Sequence, residues 1–423
     1  MNIRLVPSET GGSVRAVASK SVAHRMLVCA AFAKSETRIV CADLNGDILA
    51  TARCLEALGA KISIQKQCIT VSPVAALQKN AVLPCGESGS TLRFLLPVCA
   101  LLGACASFSM SGRLPMRPLS PLREVLESCG AELSEAGSDP LTVRGRAEAN
   151  EFSIKGDVSS QFISGLMLGL AVSGGQGKIN IIGELQSAPY VDITADVIRA
   201  FGGNVKQTEN SYLIDCREGL FSERELSVEG DFSGAAFPLC LGALGRGAVT
   251  VTGLDRSSRQ GDRYIVDILK KMGASVEWQG DSVTVFPAEL HGIEVDARQI
   301  PDLVPVVATL CALAEGESRI YNAERLRLKE SDRLSAVEQT LTSLGAKVRE
   351  TEDGLAIVGV PVLRGGVVSS FGDHRIVMSA AVASVRCEAE VVIKGADAVS
   401  KSYPVFFEHM RSLRMICEEQ GDV

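Results

Sequence analysis

At 423 residues the chain is longer than one hydrophobic core serves, so two domains or a repeat architecture are expected. A net charge of −7 and a pI near 5.4 argue against a nucleic-acid or anionic-membrane binder, which carries positive charge as a global excess. Any anion site is therefore a local cluster. Met1 to Ser19 has no continuous apolar segment and no run reaches the length of a membrane span, which points to a cytoplasmic protein. The 13 cysteines form no CxxC pair and lie in apolar settings such as Val28-Cys29-Ala30 and Leu310-Cys311-Ala312, as small buried thiols do. Four histidines without HExxH or Cys/His spacing give no reason to expect a metal site.

Taken in order, the chain is a repeat. Helix-like segments end at Leu58-Gly59-Ala60, Cys129-Gly130-Ala131, Phe201-Gly202-Gly203, Met272-Gly273-Ala274 and Leu344-Gly345-Ala346, with successive first glycines 71, 72, 71 and 72 residues apart. Each glycine follows apolar residues at helical spacing, such as Leu122, Val125, Leu126 and Cys129, and reads as a C-cap. An alternating segment, a polar turn and a second alternating segment come next, as in Lys61 to Ile64 then Cys68 to Val71, and Ser275 to Trp278 then Ser282 to Val285. That pattern predicts a hairpin after every helix. Val405 to Leu413 falls where a sixth helix belongs, and the chain stops before a sixth hairpin. Six units split into three plus three, with the midpoint near Phe221 to Gly230; this is an α/β (α+β) protein of two domains with internal symmetry.

Polar islands interrupt the repeat. Ser19-Lys20-Ser21 with His24-Arg25 opens an apolar helix through Leu27, Val28, Ala31 and Phe32, placing a lysine and free N–H groups at a helix start, where anions bind. Without GxxxxGK[ST] it is no nucleotide P-loop. Gly86-Glu87-Ser88-Gly89-Ser90-Thr91-Leu92-Arg93 leads into the helix Phe94 to Leu102, and Gly89 lets backbone N–H groups approach an oxyanion. Taken alone, that loop reads as a helix cap. Ser111 to Leu119 holds Arg117 stiffly before a proline. Ser159-Ser160-Gln161 and Ser187-Ala188-Pro189-Tyr190 offer hydroxyl and amide groups suited to a polyol or phosphate. In the second half come Gly230-Asp231-Phe232-Ser233, Gln260-Gly261-Asp262, Pro301-Asp302, Arg325 to Leu334, Gly372-Asp373-His374-Arg375 and Ser400 to Pro404. Helix N-capping is the default account of Asp302, and Ser331 looks like the cap of a helix through Leu334, Val337, Leu341 and Leu344. The functional reading of that last stretch is an anion site formed by Lys329 and Arg333, with Glu330 beside them to move a proton.

This ordered set, from Ser19-Lys20-Ser21 through Lys329-Glu330-Ser331-Asp332-Arg333 and Asp373-His374-Arg375 to Lys401, resembles the 5-enolpyruvylshikimate-3-phosphate synthase family end to end. The resemblance implies two domains of three βαβαββ-type units, residues 1–18 with 230–423 and residues 19–229, with the active site in the cleft between them. It implies transfer of the enolpyruvyl group of phosphoenolpyruvate to shikimate-3-phosphate, without metal or organic cofactor, in a monomer that needs no nucleic acid or membrane. Phosphoenolpyruvate is then expected to meet Lys20, Gly89, Arg93, Arg117, Gln161 and Lys401 through its phosphate side, and Arg333 and Arg375 through its carboxylate. Shikimate-3-phosphate is expected to meet Lys20, Ser21, Arg25, Ser159, Ser160, Gln161, Ser187, Tyr190, Asp302 and Lys329. Asp302 is the expected base and Glu330 the expected acid, with Lys20 in the catalytic group. The two substrates bring roughly five or six negative charges, so cations from both halves are needed, and an empty protein is expected to be held open by their repulsion.

His24, Glu87, Ala188 and Arg325 depart from the commonest family pattern. Two rivals stand beside this reading: the related UDP-N-acetylglucosamine enolpyruvyl transferases, and a non-catalytic anion-binding protein. The first carries a reactive cysteine in the loop matching Ser111 to Pro118, which has none here. The second gains nothing from acids such as Asp302 and Glu330 beside its ligand.

Overall fold

The computed structural model describes residues 1–222 and 225–421; Glu223 and Arg224, inside the expected midpoint stretch, lie outside the described residues. The chain divides into two compact units, Met1–Val17 together with the chain from Glu229 onward, and Ala18–Val228.

Each unit is built from one motif used three times. Ser160–Val172 and Ala188–Ala200 are the helices of one copy, and its four strands are Glu151–Lys155, Gln176–Ile182, Asn204–Gln207 and Ser211–Asp215. The first two strands pair in parallel and the last two form the antiparallel hairpin, the fourth strand lying against the second. All six four-stranded sheets repeat that arrangement. The five glycines that punctuate the sequence lie at φ between +79° and +114°, the left-handed region that ends a helix without a Cβ penalty. The predicted hairpins are present as Lys61–Gln65 with Cys68–Ser72 and Val276–Gln279 with Ser282–Val285.

The expectation that the chain stops short of a sixth hairpin is corrected. Ile416–Gln420 follows the helix Phe406–Ser412, and its hairpin partner is the N-terminal strand Asn2–Val6, which pairs antiparallel with both Ile416–Gln420 and Val391–Lys394. In the first unit of the sequence the missing strand is likewise supplied from afar, by Leu226–Ser227 beside Thr37–Val40. A sheet is satisfied by any segment of the right pattern, whatever its place in the chain.

The first helix of each motif is the inner one. Every residue of Val304–Ala312 and of His374–Ala383 is buried, as the continuous apolar surface of the first and the apolar body of the second after His374 and Arg375 require. The second helix shows only a stripe: Arg333–Ser343 buries Arg333, Leu334, Ala336, Val337, Thr340 and Leu341. Within each unit the three inner helices pack on one another, and the polar islands lie where strands hand over to helices. There the carboxyl ends of the strands and the free N–H groups of the helices converge.

Candidate active site

In the unit that holds the C-terminal repeats, Arg333 is the hub. Its guanidinium is 2% exposed and donates in three directions: Nε to Asp373 Oδ2 at 2.7 Å, Nη1 to Asp302 Oδ1 at 2.9 Å, and Nη2 to Glu330 Oε2 at 2.8 Å. A planar fork serves three carboxylates at once in a way a lysine cannot. Burial favours its neutral form, but Asp373, Glu330 and Asp302 outweigh that and raise its pKa further.

Asp302 does not cap the helix after it, contrary to its default reading; it lies within the short turn Pro301–Leu303, and Leu303 takes the position ahead of the helix Val304–Ala312. Its carboxylate faces cations instead: Arg333 at 2.9 Å, Arg375 at 3.2 Å and Lys329 at 3.6 Å. Burial alone drives this carboxyl up, but Arg375, Lys329 and Arg333 together hold it well below the usual carboxylate range. Ser331 is not the cap of its helix either. Asp332 takes that place, accepting from Ser335 N–H at 3.2 Å, and the Ser331 hydroxyl donates to Asp373 at 3.0 Å. Lys329 and Glu330 therefore precede the helix, Lys329 turned to Asp302, while Glu330 takes Arg333 and, at 3.8 Å, Lys401.

Arg375 opens the helix His374–Ala383, whose cap Asp373 accepts the Arg375 N–H at 2.9 Å. Its Nη1 donates to the Asp302 carbonyl at 3.0 Å and Nη2 to Ser233 Oγ at 2.6 Å. The cations Lys329, Arg333, Arg375 and Lys401 thus meet Asp302, Glu330 and Asp373, so the like-charge repulsion expected from the cations alone is largely compensated inside this unit. Asp373, Ser233 and Asp262 are parts of the cluster that the sequence reading placed in islands without assigning a role.

The other unit gathers two groups. Arg93 donates from Nη1 to Gln161 Oε1 at 3.2 Å and from Nη2 to the Pro118 carbonyl at 3.5 Å; Gln161 Nε2 donates to Ser90 Oγ at 2.9 Å. A Cβ added to Gly89 would lie 2.5 Å from Arg93 Nη1 and 2.9 Å from Arg117 Nη1, so the absence of a side chain admits both guanidiniums. Gly89, Arg93, Arg117 and Gln161 are therefore one group, built on the helix Gly89–Leu102 that Ser88 caps.

The second group is at the helix Lys20–Ala31. Lys20 Nζ pairs with Asp47 at 3.0 Å, a partner the sequence reading missed; its signal is the helix start Asn45-Gly46-Asp47, where Asn45 caps. Arg25 is 2% exposed and donates to the carbonyls of Ser21 at 2.5 Å and Tyr190 at 2.9 Å, to Thr194 Oγ1 at 2.6 Å and to Ser164 Oγ at 3.2 Å. Burial lowers its pKa to about 9. Arg25 thus joins Ser21 to Tyr190 from beneath. Ser187 sits ahead of the helix Ala188–Ala200 at φ +56°, a left-handed conformation that a serine adopts at a cost. Ser159 caps the helix beginning at Ser160 and accepts from Gln161 N–H at 3.3 Å. His24 is fully buried; its Nδ1 lies 2.6 Å from Thr51 Oγ1, and burial lowers its pKa to about 3, so it is neutral.

The sequence matches the profile of EPSP synthase (3-phosphoshikimate 1-carboxyvinyltransferase) over residues 6–410. The 3-phosphoshikimate 1-carboxyvinyltransferase of Clostridium kluyveri is 42% identical over 413 residues, 97% of this chain and 97% of that protein. The protein of the same name from Clostridioides difficile is 36% identical over 425 residues, again 97% of each. Among solved structures, EPSP synthase from Acinetobacter baumannii superposes with a TM-score of 0.81 at 23% identity, covering 100% of both chains, which shows a shared fold. By the match over residues 6–410 and these relatives, the chain belongs to the EPSP synthase family.

Proposed function

We propose that the chain transfers the enolpyruvyl group of phosphoenolpyruvate to the 5-hydroxyl of shikimate-3-phosphate and releases phosphate, the step that feeds chorismate and aromatic amino-acid synthesis. The observation that carries this reading is membership of the EPSP synthase family over nearly the whole chain. The buried constellation of Arg333 with Asp302 and Glu330 supports it, because it supplies an acid, a base and a carboxylate receptor within one cluster.

The chemistry is addition and elimination. The 5-hydroxyl oxygen bonds to C2 of phosphoenolpyruvate and gives up its proton to Asp302, while C3 takes a proton from Glu330. The C2–O bond to phosphate then breaks, the Glu330 carboxylate takes a proton back from C3, and the double bond reforms as the enol ether on the sugar oxygen. The alkene supplies the electron pair and phosphate is the leaving group, so no redox cofactor is called for. Arg333 and Arg375 receive the carboxylate of phosphoenolpyruvate. Lys20, Gly89 N–H, Arg93, Arg117, Gln161 and Lys401 receive its phosphate. Ser21, Arg25, Ser159, Ser160, Ser187, Tyr190, Asp302 and Lys329 hold the sugar phosphate, with Lys20 and Gln161 reaching both substrates.

The resting pairs support one order of events. Asp302 is ionised but weakly basic while three cations hold it. A substrate carboxylate offers Arg333 and Arg375 the same group, drawing them from Asp302 and raising its basicity when the hydroxyl arrives. The same reading takes the protein as a cytoplasmic monomer. The test is phosphate release on mixing both substrates, with UDP-N-acetylglucosamine replacing shikimate-3-phosphate in a parallel reaction. Release with the nucleotide sugar alone, or with neither acceptor, overturns the assignment.

A further inference from the structure

In the unit Ala18–Val228, the buried side chains of His24, Thr51 and Thr91 belong to none of these roles. Lys20 and His24 are one turn apart on the helix Lys20–Ala31, and Asp47 and Thr51 are one turn apart on the helix Gly46–Leu58 that packs beside it. The two turns match: Lys20 Nζ meets Asp47 at 3.0 Å, and His24 Nδ1 meets Thr51 Oγ1 at 2.6 Å. The second contact continues into a third helix. Thr51 Oγ1 lies 2.7 Å from Thr91 Oγ1, and Thr91 Oγ1 donates at 2.8 Å to Ser88 Oγ, the cap of the helix Gly89–Leu102. Four side chains, none more than 1% exposed, thus form a line from the helix that begins with Lys20 to the turn that holds Gly89.

Each hydroxyl has one proton to give, which fixes the direction of the line. Thr91 gives its proton to Ser88, so Thr51 supplies the one between the two threonines, and the one between Thr51 and the ring comes from His24 Nδ1. The neutral ring is therefore protonated on Nδ1, and Nε2, buried without a hydrogen-bond partner among the described residues, carries the lone pair. Phe94, on the same helix as Thr91, holds the ring edge to face with 6.2 Å between centroids.

We propose that His24 and Thr51 are positioning residues for the phosphate of phosphoenolpyruvate: their hydrogen-bonded line to Ser88 fixes where the Gly89 N–H stands relative to Lys20. The proposal rests on the reading of Lys20 and Gly89 as receptors of that phosphate. Donors on two separate helices grip one anion only if their places are held to about 0.5 Å. A buried line of neutral donors and acceptors does this without a charge that would compete for the anion or repel it.

The test is steady-state kinetics of the full chain, comparing Thr51→Val, which keeps the shape and removes the hydroxyl, with Thr51→Ser, which keeps the hydroxyl. Thr51→Val is expected to raise the KM for phosphoenolpyruvate about tenfold, as a broken buried hydrogen bond does, with kcat and the KM for shikimate-3-phosphate little changed. Thr51→Ser is expected to keep the parent KM. A fall in melting temperature accompanies Thr51→Val whether the line positions the turn or only stabilises the unit, so the KM for phosphoenolpyruvate is the deciding reading. His24→Leu and His24→Asn repeat the comparison at the far end of the line, since the asparagine amide reaches the place of Nδ1 and donates there while leucine cannot. That pair decides the matter even if Thr51→Val does not fold. Nitrogen-15 NMR of the imidazoles reads the direction of the line, with His24 protonated on Nδ1 as the expected result. Protonation on Nε2 instead, an unchanged KM for phosphoenolpyruvate in Thr51→Val or His24→Leu, or a rise shared equally by both substrates in Thr51→Val overturns the proposal. Gly89→Ala separates the two levels: an unaltered KM there sinks the receptor reading itself, whereas a rise there beside an unaltered KM in Thr51→Val sinks the role of the line alone.

Discussion

Replacing Arg333 by lysine keeps the charge and removes the fork. The guanidinium makes charged hydrogen bonds to Asp373, Asp302 and Glu330 at 2.7–2.9 Å from three different nitrogens. A single ammonium centre can satisfy one of these and strain toward a second. Losing at least one bond of about 1.5–3 kcal/mol predicts a destabilisation of roughly 2–3 kcal/mol, below the roughly 3–5 kcal/mol of a fully broken buried pair. For a unit of this size that is a fall in melting temperature of about 5–10 °C at roughly 2–4 °C per kcal/mol. Calorimetry with urea midpoints measures it. The sign of the pH dependence also follows. Asp302 and Asp373 have folded pKa values below their unfolded ones, so their stabilisation is full above about pH 4 and is lost as pH falls through the folded values. The gap between parent and variant should therefore narrow below about pH 4. In the assay of function the KM for phosphoenolpyruvate should rise about 10- to 100-fold, since about 1.4 kcal/mol is tenfold, while affinity for shikimate-3-phosphate barely moves. Equal melting temperatures at pH 7 would refute the hub, and equal weakening of both substrates would refute the receptor role.

Glu330→Gln should retain binding of both substrates and lose turnover, together with exchange of solvent deuterium into the C3 methylene; exchange at the parent rate would pass the acid's role to Lys20 or Lys401. Gly89→Ala puts a Cβ against the ends of Arg93 and Arg117, flexible groups that can move aside. Melting should thus stay within about 1 kcal/mol of the parent, while the KM for phosphoenolpyruvate rises about tenfold as the guanidiniums lose their places; an unchanged KM contradicts the grouping. Asp262 has a folded pKa raised to about 7, so the parent loses stability as pH rises from about 4 to 7. Asp262→Asn should melt higher than the parent at pH 8 and by little at pH 4, and a gap of the same size at both would disprove the buried acid.

Local physics made much of the fold readable from the chain. A glycine at left-handed φ ends a helix whatever surrounds it, and apolar residues at helical or alternating spacing mark the faces that must be buried. Gly59, Gly130, Gly202, Gly273 and Gly345 therefore counted out the repeat, and the polar islands stood out as residues that the repeat did not need. Lys20, Gly89, Gln161, Asp302, Arg333 and Arg375 were named from those islands and from the family they match. The cap of the helix after Asp332 was harder to read, because Ser331 and Asp332 both suit that position and only the backbone decides which one turns inward.

Ion pairing was a different matter, since it depends on separations of about 3 Å between groups far apart in the chain. Glu330 follows Lys329 directly, yet Lys329 turns to Asp302 and Glu330 to Arg333. Arg25 opens as a candidate ligand of the sugar phosphate, and only the packing of its helix shows that its guanidinium also meets Ser21, Ser164, Tyr190 and Thr194. Asp47 meets Lys20 only because two helices lie side by side. The N-terminal strand closes the last sheet because a β-edge selects its partner by pattern and reach rather than by order in the chain. The elements, their period and the places where chemistry gathers are written in the order of residues along the chain. Which charges face one another is set by folding, because the pKa of each group and the aim of each guanidinium come from neighbours that are distant in the chain.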